Sequence, residues 1–308
     1  MIIVTVATDS VAYFPNLVEQ CERLGLELRV LGFKQKWKGF QWRFQLMREF
    51  LRTLPVDEVV VFVDGYDVLP LRGAEAIMDA FRSADTPVLL SVEHRVNFLA
   101  WWLYRKTFGN CRGLQLNAGM YMGYASALLM LYDEVCTITD CAVLDQDDQT
   151  LLSQLCRVSV DTPGSFFSTH VKFDTESTVF MNLSSANWKT IEWRHSQLFL
   201  VDDVNQHLVQ RQTRREPCFL HGPGNIDMGF AVRLYGMRDL GLVVQTRGIP
   251  SYYLNGLKLY TLHFIPEIIA ASILLLLLIA VCVLLVLRYR MIRQQRALDA
   301  RRRQLFEE

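Results

Sequence analysis

An excess of either charge is absent from this 308-residue chain, in which 32 Lys and Arg balance 32 Asp and Glu. That argues against nucleic acid as a bulk electrostatic partner. A C-x-x-C pair is also absent. The seven cysteines (Cys21, Cys111, Cys136, Cys141, Cys156, Cys218, Cys282) are scattered. Their spacings give neither a zinc site nor a disulfide framework, and they leave the redox compartment open. The first residues lack the basic n-region and long apolar run of a secretory signal, so 1–7 reads as the first strand of a domain. Long uncharged apolar runs are confined to one segment near the C-terminus. Without that segment and its tail, about 260 residues remain, enough for one large α/β domain with a sizeable core.

What is there centres on Val59-Val60-Val61-Phe62-Val63-Asp64-Gly65-Tyr66-Asp67-Val68. Five apolar residues, four of them β-branched, read as a strand covered on both faces. In open α/β sheets, ligands bind at the carboxyl ends of strands. Two carboxylates three residues apart at such an end can reach one divalent cation, and the cation can hold a diphosphate. A solvated Asp-Gly surface turn explains the same spacing.

Ahead of this strand, the pattern predicts a strand over 2–7 and a helix over 16–24. A strand over 26–31, a polar aromatic loop at 34–39 and a helix over 41–54 follow, with Pro55 closing the helix. Strand–helix–strand–helix–strand is a doubly wound nucleotide-binding order. A helix at 73–83 and a buried strand at 87–92 come next, the strand again ending on a carboxylate, Glu93. The Trp- and Tyr-rich stretch 97–108 serves either as a core helix or as an aromatic platform for an acceptor.

In Leu116-Asn117-Ala118-Gly119 through Gly123, the small residues at 118, 119 and 123 suggest backbone brought close to a ligand. A helix over 126–137 follows. The acidic knot Asp145-Gln146-Asp147-Asp148-Gln149 opens another helix; capping accounts for one of its acids, but three exceed what capping needs. From 158 to 213 the pattern is short strands and loops, including an N-x-S triplet at Asn182. An apolar strand end then delivers His221 into a Gly/Pro turn, where it is either structural or a third ligand beside the two acids. Residues 226–240 form a last helix, and 241–267 a linker.

From Ile268 to Leu287 there are twenty residues without a charge. At about 1.5 Å per residue they span a hydrocarbon core of roughly 30 Å. The tail, 288–308, carries Arg288, Arg290, Arg293, Arg296, Arg301, Arg302 and Arg303 against Asp299, Glu307 and Glu308. It reads as a solvated amphipathic helix, a contact for anionic head groups, or both. Two rules disagree on sidedness. The missing signal favours a cytosolic domain, whereas the arginine tail itself prefers the cytoplasmic face. The expectation adopted is a single-pass C-terminal anchor with a cytosolic domain.

Taken in order, several stretches resemble the N-terminal glycosyltransferase domain of procollagen lysyl hydroxylases and its relatives, including viral ones. They are Val4-Thr5-Val6-Ala7-Thr8, Trp37-x-Gly39, Phe62-Val63-Asp64-Gly65-Tyr66-Asp67-Val68, Ser91-Val92-Glu93 and Leu116-Asn117-Ala118-Gly119. Asp147-Asp148-Gln149, Phe180-x-Asn182-Leu183 and His221-Gly222 complete the set, which spans about residues 1–240. The resemblance implies a GT-A type, Rossmann-like nucleotide-sugar-binding domain, a UDP-hexose donor and Mn2+. It implies Asp64, Asp67 and His221 as metal ligands. Tyr66 would stack on uracil, and Val6, Ala7 and Thr8 would line the nucleotide pocket together with Trp37, Asn117 and Gly222. Glu93, Asp147 and Asp148 would face the sugar and its acceptor, a carbohydrate or hydroxylated protein.

The chain departs from the family at His94-Arg95-Val96-Asn97, and where Pro223-Gly224-Asn225-Ile226 replaces a lysine after the His-Gly turn. Arg95 and Lys38 are the cations left to compensate. No hydroxylase domain is expected after the anchor. The expected function is a membrane-anchored, metal-dependent hexosyltransferase. A transferase fold that only binds carbohydrate or nucleotide is the alternative, and a metal-dependent phosphoester hydrolase, which needs a paired-metal cluster, is the third.

Overall fold

Every residue of Val59–Val63 is buried, as its unbroken apolar run requires, and its side chains alternate between two cores. The computed structural model describes residues 1–93, 105–106, 108–138, 147–183, 199–202, 204–223, 227–239 and 249–307. The strands are β1 (Ile2–Val6), β2 (Leu28–Leu31), β3 (Val59–Val63), β4 (Val68–Pro70), β5 (Val88–Val92), β6 (Leu116–Tyr124), β7 (Val171–Phe173), β8 (Phe180–Asn182), β9 (Phe199–Val201), β10 (Leu208–Gln210) and β11 (Phe219–His221). The helices are α1 (Phe14–Arg23), α2 (Phe40–Leu51), α3 (Ala74–Ala84), α4 (Ala125–Ile138), α5 (Asp148–Ser159), α6 (Phe166–His170), α7 (Gly229–Leu234) and α8 (Ile249–Glu307).

Six strands form the main sheet in the order β2-β1-β3-β6-β5-β7. The β2-β1-β3 half is parallel, as the doubly wound order predicts. The other half is not, because β6 runs antiparallel to both β3 and β5, making the sheet mixed. One core, with Val60 and Phe62, packs the sheet against side chains of α2, α4 and α5. The other, with Val59, Val61 and Val63, packs against Leu17 and Cys21 of α1 and Ile77 and Phe81 of α3. Gly123 is small for packing reasons rather than for a ligand, since a Cβ there would lie 2.6 Å from the Pro87 carbonyl oxygen.

A second sheet, β4-β11-β8, sits over a third core that includes Leu69, Met181, Leu220 and Val232. Among the described residues, the predicted helix over 226–240 is shorter, Gly229–Leu234, and α6 is a helical turn within a stretch predicted to hold only strands and loops. Cys111 and Cys156 are disulfide-bonded, a pairing their spacing did not reveal. Residues 94–104 and 107, which hold the residues after Glu93 and most of the Trp- and Tyr-rich stretch, lie outside the described residues.

The chain divides into two compact units, Met1–Ile249 and Pro250–Glu308. The second is the helix α8, so the part of the expected linker that is described is helical. Its 59 residues make it about 88 Å long at ~1.5 Å per residue. Within it, Glu267–Arg296 is long and apolar enough to cross a membrane, and its Ile, Leu and Val side chains are all exposed.

Candidate metal and nucleotide-sugar site

The site starts where β3 ends. Asp64 donates its backbone N–H to the Gly119 carbonyl on β6 at 2.7 Å, holding the strand end while the chain turns through Gly65 and Tyr66 to Asp67. A Cβ on Gly65 would lie 2.9 Å from Thr5 Oγ1 and 3.1 Å from the Ala7 Cβ, so the turn is pressed against the end of β1. Tyr66 reinforces this: its hydroxyl accepts from the backbone N–H of Thr8 (2.8 Å) and of Asp9 (3.3 Å). Val6 and Ala7, which lead into this turn from the end of β1, are both buried.

The second sheet delivers the third member of the cluster, His221. β11 pairs antiparallel with β4 so that His221 is opposite Val68, and Gly222 donates its N–H to the Asp67 carbonyl at 2.8 Å. His221 Nε2 lies 3.4 Å from Asp67 Oδ1 and 3.9 Å from Asp64 Oδ2. One ligand atom from each of these residues falls within 4.8 Å of the other two. Ligands sharing one ion at about 2.1 Å are separated by roughly 3 to 4.2 Å, a range that both distances from His221 fall within.

Two observations test whether an ion fits. His221 is 2 % exposed, yet its Nε2 has no hydrogen-bond partner, a costly state for a buried polar atom unless something else meets it. Gly119 leaves the space: a Cβ there would be 2.4 Å from His221 Cε1 and 2.7 Å from Asp64 Oδ2. The acid–acid–imidazole set suits a divalent cation.

The electrostatics agree. Burial pushes the Asp64 pKa up, and Asp67 adds to the rise, while Arg43 and His221 oppose it. Burial pulls the His221 pKa down, but Asp67, Asp64 and Glu93 outweigh it, and the net shift is upward. Negative charge is concentrated where a cation would neutralise it.

Arg43 is the participant that the sequence reading passed over. From α2, its Nη1 donates to Asp64 Oδ1 at 3.0 Å, and its Nη2 pairs with Asp148. The guanidinium lies over the rings of Phe40 (5.3 Å) and Phe62 (5.0 Å). The signal was a charged residue on the helix face that also carries Phe44 and Met47. A cation buried at such a position needs an acidic partner.

The remaining predicted residues divide. Glu93 accepts from Asn117 Nδ2 at 2.6 Å, and Asn117 Oδ1 accepts from Gly119 N at 2.9 Å, which links both to the strand that borders Asp64 and His221. Asp148 joins it through Arg43. Asp147 is the N-cap of α5, its carboxylate accepting from Gln149 N, Thr150 N and Thr150 Oγ1. Trp37 is an exposed side chain edge-on to Phe40 and Trp42, linked to the site through the Phe40–Arg43 stack. Lys38 stands 5.9 Å over the Trp42 ring. Arg95, Asn225 and Asp145 lie outside the described residues. Asn182, considered in the sequence as a glycan acceptor, is completely buried and bonded to His221.

A mixed sheet whose strand ends carry an acid–acid–imidazole cluster defines an α/β domain with a candidate divalent-cation site. The model of the PLOD GT domain family matches residues 1–232, and the chain belongs to that family. It is 23% identical over 201 residues to procollagen-lysine,2-oxoglutarate 5-dioxygenase 1 of Gallus gallus, covering 60% of this chain and 26% of that protein. To the multifunctional procollagen lysine hydroxylase and glycosyltransferase LH3 of Rattus norvegicus it is 24% identical over 199 residues, 60% of this chain and 25% of that one. An uncharacterized protein, R699, of Acanthamoeba polyphaga mimivirus is 24% identical over 227 residues, with 70% and 44% covered. The chain thus spans about a quarter of the length of the procollagen-modifying relatives. Among solved structures, a glycosyltransferase involved in glycosylation of the major capsid of PBCV-1 aligns with TM-score 0.44 at 12% identity, covering 73% of this chain and 96% of that one. The galactosyltransferase LgtC aligns with TM-score 0.41 at 12% identity, covering 73% and 87%.

Proposed function

We propose that this protein is a membrane-anchored, divalent-metal-dependent glycosyltransferase that moves a hexose from a UDP-sugar to a hydroxyl acceptor. The observation that carries this is the meeting of Asp64, Asp67 and the buried Nε2 of His221, which faces both acids without a formed hydrogen bond, beside the strand ends of a family glycosyltransferase domain. These three residues would hold the ion. Mn2+ bound there supplies Lewis-acid neutralisation of the charge that develops on the diphosphate.

The chain's own residues do the rest. Val6, Ala7, Thr8 and Tyr66 receive the nucleotide, the Tyr66 ring being fixed by its hydroxyl contacts to the 8–9 turn. Gly222 and Asn117 border the sugar side, and Trp37 extends the rim. Arg43 ties Asp64 to Asp148, so that the acids that face donor and acceptor keep a fixed spacing. Asp148, Asp147 and Glu93 orient the acceptor, a carbohydrate or hydroxylated protein. Turnover of UDP-glucose and UDP-galactose, with and without Mn2+, is the test. Full activity in Asp64→Ala or His221→Ala would overturn the metal assignment.

A second reading is favoured by one observation. Asp147 is engaged in its helix cap and Asp148 Oδ2 with Arg43, and both contacts favour the charged carboxylate and so weaken it as a base. On that reading the fold binds a nucleotide or carbohydrate without catalysis. Calorimetric binding of UDP with no donor consumed by any acceptor would establish it.

The anchor is α8, with the span from Ile268 to Leu287 in lipid. For sidedness we take the side opposite to the one expected from the N-terminus. The Cys111–Cys156 disulfide and the disulfide-bonded state of Cys136 favour an oxidising compartment. The arginines of the tail favour the cytosol for the other end. In sealed vesicles, protease should remove the tail and spare the domain; digestion of the domain with a protected tail would overturn this orientation.

A further inference from the structure

We infer that Asn182 is a positioning residue for His221: it holds the imidazole as the Nδ1–H tautomer and so presents the Nε2 lone pair to Asp64 and Asp67. β8 and β11 are parallel neighbours, and His221 pairs directly with Asn182, so the two side chains stand side by side in the buried interior. Asn182 Oδ1 and His221 Nδ1 are 2.8 Å apart.

Which atom donates follows from the other end of the amide. Asn182 Nδ2 lies 2.8 Å from the Val92 carbonyl oxygen, which can only accept. The nitrogen must therefore face Val92, and the oxygen must face His221. An amide oxygen only accepts, so Nδ1 carries the hydrogen and the neutral ring has its lone pair at Nε2. Nε2 is the atom with no hydrogen-bond partner, and it is the one aimed at the two acids.

The orientation is secured from further away. Asn182 Nδ2 also lies 3.3 Å from Ser91 Oγ, which contacts the Asn117 carbonyl oxygen at 3.2 Å. The amide is thus clamped between β5 of the main sheet and β11 of the small one, and it sets the ring relative to the Asp64 strand end. Outer-shell partners of this kind typically change metal affinity about 10–100-fold when removed.

This inference rests on the metal reading of the same three ligands, and the experiment separates the two. The full chain, in detergent, metal-free and 15N-labelled at histidine, gives two-bond ring correlations across a pH series, with His221→Gln identifying the resonance. Mn2+ affinity is read from the free-ion EPR signal, and melting temperature is recorded alongside. In the wild type, the neutral ring should carry its proton on Nδ1. Asn182→Ala should lose that preference and weaken Mn2+ binding by ~10–100-fold. Asn182→Asp keeps an acceptor opposite Nδ1 but loses the donor to Val92. It should melt lower while holding Mn2+ within about threefold of wild type, well inside the loss that removing the partner brings. A wild-type Nε2–H tautomer overturns the inference, as does unchanged affinity in Asn182→Ala. So do equal losses in both variants that follow melting temperature. A wild type that binds no Mn2+ sinks the metal reading, and the ring tautomer still decides the role of Asn182.

Discussion

Arg43 Nη1 lies 3.0 Å from Asp64 Oδ1, and its other nitrogen pairs with Asp148. One guanidinium on α2 therefore joins the end of β3 to the start of α5. Asp148 is buried, and the cation is stacked over Phe40 and Phe62, so the pairing is sheltered from solvent screening.

Removing only the cation should be expensive. Arg43→Ala leaves the Asp148 carboxylate buried and unpaired, and should cost about 3–5 kcal/mol in denaturant melts. Arg43→Met combined with Asp148→Leu replaces the pair with apolar contacts and should recover most of that loss. Turnover should stay depressed by roughly 10²-fold, because the positioning of Asp64 is still missing. A double variant with full turnover would remove Arg43 from the site.

Gly119→Ala probes the space beside the proposed ligands. The added methyl would press on His221 Cε1 and Asp64 Oδ2. Displacing the ligands should lower metal-dependent turnover about 10²-fold, at a stability cost of only ~1–3 kcal/mol. Mn2+ titration by EPR distinguishes this from general unfolding, since affinity should fall while the melting transition stays cooperative.

The pH dependence has a definite sign. His221 and Asp64 both have folded-state pKa values raised above their ordinary ones. In the metal-free protein the folded state therefore binds more protons than the unfolded one, and the contribution of these groups to stability falls as pH rises through the folded pKa values. A bound ion competes with those protons. Stabilisation by Mn2+, measured as a rise in melting temperature, should therefore grow from mildly acidic to alkaline pH, and His221→Gln should flatten the trend. A Mn2+ effect that shrinks with rising pH would contradict the ligand set.

Thiol chemistry tests the cores. Burial pushes Cys21 and Cys218 up to about 12, so neither should be alkylated in the native protein at mildly alkaline pH. Mass spectrometry should find both modified only after unfolding. Separately, Cys111→Ser with Cys156→Ser opens a link across 45 residues and should cost about 2–4 kcal/mol.

Much of the site was legible because local chemistry announces it. An unbroken β-branched run ending on Asp64 and Asp67 reads as a buried strand delivering acids. An apolar strand running into His221 reads the same way, and Gly119 stood out as a place of close approach. Of the small sheet, the apolar stretches of β8 and β11 were visible, whereas the three residues of β4 and the pairing of all three strands were not.

Periodicity and apolar runs alone determined the β3 strand, its flanking helices and the apolar span of the C-terminal helix, since each follows from residues a few positions apart. Only the tertiary structure decided that β6 reverses the sheet and that Arg43 reaches both Asp64 and Asp148. It also turned Asn182 from a candidate surface triplet into a buried partner of His221. Those outcomes depend on strand register and on charge burial between distant segments, and a linear pattern carries no record of which segments will meet.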